Sequence, residues 1–501
     1  GPSSNIGTAA DSGASQDIPF LEVSVVNLGA SGDGQSDDTE FFEKALALIH
    51  ANGGGRLLVS SVGVNGHFWI RPINLTSHLV FYIMENVTIS AIPQATRWPL
   101  VAPLPSYGQG RVHPGPRYAS VLHGAHLQNV TIQGQSPITS ILDGQGEYWW
   151  KARREGRDQY TPGHLVEFVH SQDVRMYNLK MINSPYWTNH YFDCDNVHVK
   201  NVHVYAPQHT SNNTDGWDPD SSRNVLIEDS YYNGYDDCVA IKSGWDCFGI
   251  YYAKPSVNIT IRNMICQGEF AGIAIGSEMS GGVENVVVQN VTFLQANSVA
   301  KIKVGNTRGG FVRHVQYHNL TATGVLTAFP IQIDMFLYQD HPNPSCGKDW
   351  RPSTLPDIHD ISFDGVHGMQ ATVSPSKSIF HFTGMREQPI RNVYLQNVHF
   401  PSSSSSSSNL ENQSSTVPPW DCRGVQGFVR NNTVTPWPPC PEFQILSQEE
   451  PWHPRQHRIS IANVLEHVLP STLDVHVAAW VLMGAITALV RWTRRGSCTK
   501  E

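Results

Sequence analysis

The sequence predicts an all-β fold: a single-stranded right-handed parallel β-helix (solenoid) with an N-terminal capping helix. Three observations carry this expectation. Short strand phrases opened by Asn or Asp recur along most of the chain. Polar turns separate them, with little helical periodicity in between. One well-delimited helix signal stands near the N-terminus.

The strand phrases include Asn86-Val-Thr-Ile, Asn129-Val-Thr-Ile, Asp173-Val-Arg-Met, Asn196-Val-His-Val and Asn224-Val-Leu-Ile. Asn258-Ile-Thr-Ile, Asn285-Val-Val-Val, Asp360-Ile-Ser-Phe and Asn392-Val-Tyr-Leu continue the series. From Asp173 the starts are separated by 23, 28, 34 and 27 residues. Recurrence at this period marks a repeat architecture. Each run alternates, so each strand buries one face. A strand this short cannot bury that face alone, and stacking coil on coil builds the missing core. Asn at the same corner of successive coils can then hydrogen-bond along the axis. A sandwich would need about seven strands in roughly 100 residues and then a restart, and the sequence has no restart.

The helix is expected at Glu40–Ile49. Asp37-Asp38-Thr39 supplies a polar cap, and Gly53-Gly54-Gly55 supplies a stop. In a solenoid such a helix covers the open end of the core. The expected organisation is a disordered segment at residues 1–19, the β-helix at 20–445 and a tail at 446–501. A serine-rich loop at 401–416 contains the run Ser402–Ser408. The tail holds an apolar stretch at 477–490 followed by Arg491, Arg494 and Arg495. That stretch is shorter than the roughly 20 residues of a membrane span, yet its basic flank suits a stop-transfer site. A C-terminal membrane anchor and an interfacial helix both stay open.

The chain has 501 residues and a formal charge of -9, which excludes a nucleic-acid partner as the default reading. A polyanionic substrate would need a cleft with its own cations. Eight cysteines include no CxxC pair, which speaks against zinc or thioredoxin-like chemistry. Nine N-x-S/T sequons stand at Asn74, Asn86, Asn129, Asn212, Asn258, Asn290, Asn319, Asn412 and Asn431. They fit a secretory-pathway protein, but Asn-Val-Thr also serves here as a turn-to-strand signature.

Asn213-Thr214-Asp215-Gly216 is followed by Tyr235-Asp236-Asp237-Cys238, which places two carboxylates 21 and 22 residues after Asp215. With a coil of that length the two motifs stack on neighbouring turns. Crowded carboxylates raise one another's pKa, so one can stay protonated. Glycoside hydrolysis requires such a pairing of acid and base. Either motif alone reads as ordinary turn residues; their joint spacing points to chemistry. Lys301 and Lys303 share one face of a strand, and Lys242 sits five residues after Asp237. Lysines beside carboxylates suit an anionic sugar polymer, although single lysines are usually just solvated.

With these motifs in place, the sequence resembles the polygalacturonase family of pectin hydrolases. Matching phrases run from Asn27-Leu-Gly-Ala-Ser-Gly-Asp-Gly-Gln-Ser-Asp-Asp-Thr39 to Pro439-Cys-Pro-Glu442. Asn213-Thr-Asp215, Asp236-Asp237, Gly276-Ser-Glu-Met-Ser-Gly-Gly282 and Lys301-Ile-Lys303 fall in family order. Asp218-Pro-Asp-Ser-Ser222 and Ser243-Gly-Trp-Asp246 resemble its plant-type, exo-acting-like branch. The resemblance implies an inverting hydrolase of α-1,4-galacturonan. Asp236 would be the general acid, and Asp215 and Asp237 would activate water. Substrate would be bound by Lys303, Lys301, Asn213, Lys242 and Tyr235. No metal and no cofactor are expected.

Three positions depart from the family pattern. Ala271 stands where many members carry His and offers no side-chain hydrogen bond. Lys301 replaces an Arg and loses bidentate carboxylate recognition. Tyr235 occupies a place where a small residue is usual. The resemblance further implies a Cys422–Cys440 disulfide; Cys238–Cys247, nine residues apart, is a second candidate bridge. A rhamnogalacturonan or other uronan hydrolase, a catalytically weak polysaccharide-binding β-helix and a Ca²⁺-dependent lyase are the alternatives. The expected protein is a monomer, secreted or in the cell wall, with pectin as its partner and membrane tethering left open.

Overall fold

The computed structural model describes residues 21–448, apart from 64–65, 208, 369–371, 374–376 and 401–416. The expected N-terminal segment, serine-rich loop and apolar stretch at 477–490 fall outside the described residues, as do Asn412 and Cys498. The described chain is a right-handed parallel β-helix built on a 20-stranded and an 11-stranded sheet. The final strand is Phe443–Leu446.

Register shows why the repeat folds this way. Val174, Val197, Val225, Ile259, Val286, Val315, Ile361 and Val393 pair strand to strand in one continuous row. All are buried. Most directly follow the Asn or Asp that opens a strand phrase. Burying each such side chain stabilises the chain by about 1.5–3 kcal/mol.

The corner residues run along the axis as expected. Asn263 Nδ2 donates to Asp229 Oδ1 at 2.9 Å, Asn290 to Asn263 at 3.2 Å, and Asn319 to Asn290 at 2.8 Å. Each of these four residues has φ between 51° and 56°, a left-handed conformation that Asn and Asp tolerate best among non-glycine residues. Among the sequons, Asn258, Asn290 and Asn319 thus serve as turn residues whose amides donate to the neighbouring coil.

Helix α1 runs from Thr39 to Ala51 and buries Phe42, Ala45, Leu46 and Ile49. Phe42 packs on Phe68 and Phe81, with ring centroids 5.9 and 6.2 Å away, and so closes the first coils. The cap differs in detail from the sequence expectation. Asp38 turns away from α1 and accepts from the Ser31 and Gly32 backbone N–H groups, while Asp37 accepts from Thr39.

Cys422 and Cys440 form the expected disulfide. Cys238 and Cys247 do not pair with each other. Cys238 is bonded to Cys266 on the next coil, and Cys247 to Cys346, 99 residues away. A short sequence separation is no guide here, because a solenoid brings residues one coil apart into closer register than residues nine apart.

Candidate active site

The 11-stranded sheet positions the site. Trp217 pairs with Val239, Val239 with Ile273, and Gly276 with Lys303. Two positions before the Trp217–Val239 pair stand Asp215 and Asp237, on adjacent coils. Asp236 joins them, and the three carboxylates bring oxygens within 4.8 Å of one another. The predicted cluster is therefore assembled by coil register. Tyr232 braces it from beneath. Its hydroxyl lies 3.1 Å from the carbonyl oxygens of Thr214 and Asp236 and accepts from the Asp236 N–H.

The three aspartates have different surroundings. Asp237 is 1% exposed. Its Oδ1 accepts from the Ala271 N–H at 2.9 Å and its Oδ2 from Lys303 Nζ at 2.5 Å. Burial opposes ionisation, but Lys303 outweighs it and holds this carboxyl below its ordinary value. Asp236 is half-buried, with Oδ2 accepting from the Asn213 N–H at 2.9 Å. Burial, then the charge of Asp237, pushes its pKa up. Asp215 is 3% exposed, and its Oδ1 has no hydrogen-bond donor. Burial and the charges of Asp236 and Asp218 drive it well above the usual carboxylate range. The set thus puts one carboxyl held below its ordinary pKa beside two pushed above theirs, the contrast that acid–base chemistry uses.

Lys242 lies under this cluster, 3% exposed. Its ammonium is 3.4 Å from Asp218 and Glu278 and 3.7 Å from Asp215, and 4.3 Å from the face of Trp187. Burial disfavours its charge, but the three carboxylates more than compensate. Burial together with nearby Lys303 lowers Lys301 to about 8. Lys301 shares its register row with Ala274 and Gln332. The alanines at 240, 271 and 274 form a small buried cluster, which keeps the sheet face shallow between Asp218 and Lys301. At Ala271, where the family often has His, the backbone N–H still donates to Asp237.

Asn213, Asp215, Tyr235, Asp236, Lys242 and Lys303 line one pocket of 380 Å³. Lys301 and Asp237 do not line it; Asp237 reaches it through Lys303. Tyr235 stands edge-on to Phe270 at 5.3 Å. Several lining residues escaped the sequence reading: Arg111, Arg153, Tyr186, Trp187, Glu278 and Tyr338. Arg111 binds Glu278 at 2.6 Å, and Arg153 lies on helix α2, Glu147–Arg154. Glu278 belongs to the Gly276–Gly282 phrase, so its place was marked in the sequence, though its role was not. The turn there demands glycine: Gly276 has φ 89°, and a Cβ would lie 2.2 Å from the Lys303 carbonyl oxygen.

Comparison with known proteins identifies the family and the fold. Residues 85–418 match the model of glycosyl hydrolases family 28. The chain is 31% identical to a probable polygalacturonase of Vitis vinifera over 423 residues, 84% of this chain and 80% of that protein. Its fold is similar to that of an exopolygalacturonase from Thermotoga maritima, with TM-score 0.64 and 22% identity over 86% of this chain and 91% of the other. It is also similar to a polygalacturonase from Erwinia carotovora ssp. carotovora, with TM-score 0.61 and 25% identity over 78% and 94% of the two chains. A fold with stacked coils, three aspartates of split character and a family match over most of its length leads to one assignment: the chain is a glycoside hydrolase and belongs to glycosyl hydrolases family 28.

Proposed function

We propose that the protein hydrolyses α-1,4-linked galacturonan at a chain end, with inversion at the anomeric carbon. The observation that carries this reading is the cluster of Asp215, Asp236 and Asp237 beside Lys303, in a pocket walled by Arg111 and Arg153. These cations give an acidic chain the local positive field that a uronate polymer needs. The Vitis vinifera relative supplies the same substrate class by name.

Asp236 is the general acid that the family resemblance implies; it lines the pocket, and burial and the charge of Asp237 push its carboxyl above the ordinary value. Asp237 is the base, the one carboxyl of the three held below its ordinary value, and Asp215 on the adjacent coil helps it to position the water. Both Asp237 oxygens are already engaged and it is buried, so it cannot attack a sugar carbon directly. This favours water attack over a covalent intermediate, although the cluster is tighter than the ~6.5–9.5 Å of a standard inverting pair. Asn213 fixes Asp236, and Lys303 offers its remaining protons to the substrate carboxylate. Lys301 adds positive charge beside Lys303, and Lys242 holds Asp215 in place from below. End-on attack is carried over from the resemblance of Asp218–Ser222 and Ser243–Asp246 to the exo-acting-like branch.

A rhamnogalacturonan or other uronan is the second reading, favoured by the Tyr235–Phe270 pair at the pocket. Three disulfides also fit an oxidising, extracellular setting. Among the described residues no helix is long and apolar enough to cross a membrane.

The test is reducing-end release from polygalacturonate, run beside a panel of pectic oligosaccharides and with Asp236→Asn as control. Equal rates for parent and variant would sink the mechanism. Turnover confined to rhamnogalacturonan would select the second reading.

A further inference from the structure

Segments far apart in sequence, each lying between strands of the coils, meet at one buried ion pair. Arg308 and Asp246 are both fully buried, with Arg308 Nη1 2.5 Å from Asp246 Oδ1. Asp246 is the first residue of helix α3, Asp246–Tyr252. Arg308 Nε donates to the Ser277 carbonyl oxygen at 2.7 Å, and Nη2 to that of His341 at 3.2 Å. The second Asp246 oxygen accepts from the Asn343 N–H at 2.7 Å. Asn343 Nδ2 donates to the Tyr107 carbonyl oxygen at 2.8 Å, and the Ser345 hydroxyl to Gln109 at 2.6 Å. The Cys247–Cys346 disulfide closes the same junction covalently.

Arg308 and Asp246 stand outside the lining of the catalytic pocket, while the segments they join supply part of it. Ser277 directly precedes Glu278, and Tyr107 and Gln109 lead into Arg111. Arg111 binds Glu278 at 2.6 Å and lies 4.5 Å over the ring of Trp245, the residue before Asp246. Both contacts of Arg111, and the backbone that carries it, are thus tied to the pair within a few residues. A buried ion pair is weak support for stability, because desolvation offsets most of its attraction. What this one supplies is geometry, since the planar guanidinium fork fixes three segments at set angles.

We propose that Arg308 and Asp246 are positioning residues that hold Arg111 against Glu278 in the pocket wall. They thereby set the affinity for the uronate chain rather than the rate of bond cleavage. This rests on the galacturonan reading above, in which Arg111 belongs to the positive wall.

The experiment compares the parent with two variants. Asp246→Asn combined with Arg308→Met removes both charges together and strands neither. Asn343→Ala keeps the backbone N–H donated to Asp246 and loses the side-chain tie to Tyr107. Kinetics on polygalacturonate should show KM raised about tenfold in both, the loss expected of one charge-assisted hydrogen bond, with kcat within about threefold of the parent. Arg111→Gln should raise KM by a similar factor, and combining it with Asn343→Ala should add little, because both remove the same contact. Hydrogen exchange read by mass spectrometry needs no substrate. It should quicken in residues 104–112 and 277–282 and keep the parent's rate in the coil strands. A lower kcat at unchanged KM, additive effects on KM, or unchanged exchange in both variants overturns the proposal. Faster exchange across the whole chain also overturns it, because that marks a general loss of stability. Inactivity of the parent on every uronan would overturn the function proposed above, and the exchange pattern would then decide the positioning role by itself.

Discussion

Lys303 Nζ, two coils along from Asp236 and Asp237, lies 2.5 Å from Asp237 Oδ2 and pairs with Asp237 rather than Asp236. Two adjacent aspartates are thereby split, one held ionised and the other pushed toward its protonated form.

The split predicts the acid limb of the pH profile. Asp237 has a depressed pKa, so its ionised form persists below its ordinary value of 3.8. The stability it lends is present above that value and is lost as pH falls through the lower folded one. Lys303→Met should move the acid limb of kcat/KM upward and lower the plateau by about 10²-fold. A pH–rate series on both proteins checks this; superimposable acid limbs would refute the pairing.

Asp236→Asn should lower kcat by about 10²–10⁴-fold with a loss of stability of no more than about 1–2 kcal/mol. Asn keeps one oxygen for the two N–H groups, of Asn213 and Asp237, from which the Asp236 oxygens accept, and it cannot ionise beside Asp237. Thermal unfolding should give a Tm close to the parent's. A large drop in Tm would mean that the lost rate reflects misfolding.

Lys242→Met should destabilise the fold by about 3–5 kcal/mol near neutral pH, because it strands Asp215, Asp218 and Glu278 without their buried cation. Asp218 already has its pKa raised to about 7, by burial above all. Removing the cation raises it further, and parent and variant hold the same proton until the pH passes the parent's value, so Asp218 adds to the defect above about pH 7. Urea titrations at several pH values test this, and a pH-independent loss would contradict it.

Within the asparagine ladder, Asn263 donates to Asp229, accepts from Asn290 and has φ 55°. Asn263→Ala loses both hydrogen bonds and adds the left-handed penalty of about 1–2 kcal/mol. Asn263→Gly loses the bonds alone and should be the milder change. Chemical denaturation of the pair ranks them; equal stability would show that the corner conformation carries no strain for alanine.

Much of this was legible in one dimension. A solenoid turns sequence period into spatial register, so Asn or Asp followed by Val or Ile at each coil start marks the corner and the core together. The same register placed Asp215 against Asp237, and so made the three-aspartate cluster legible from spacing alone. Helix α1 was equally visible because its start, stop and apolar face are local features.

What the tertiary structure decided lies off that period. Arg111 comes from an irregular segment and Arg153 from helix α2, both lying between strands of the coils, and nothing in their spacing shows that they wall the pocket. Cys247 finds Cys346 across 99 residues because two such segments meet. The same holds for Lys242. Its distance from Asp237 in sequence put it near the aspartates, and it lines the pocket, but nothing in that spacing shows that Asp215, Asp218 and Glu278 converge on its ammonium. Periodic hydrogen bonding fixes which residues share a coil face, but only packing in three dimensions decides which charges on that face meet solvent and which meet one another.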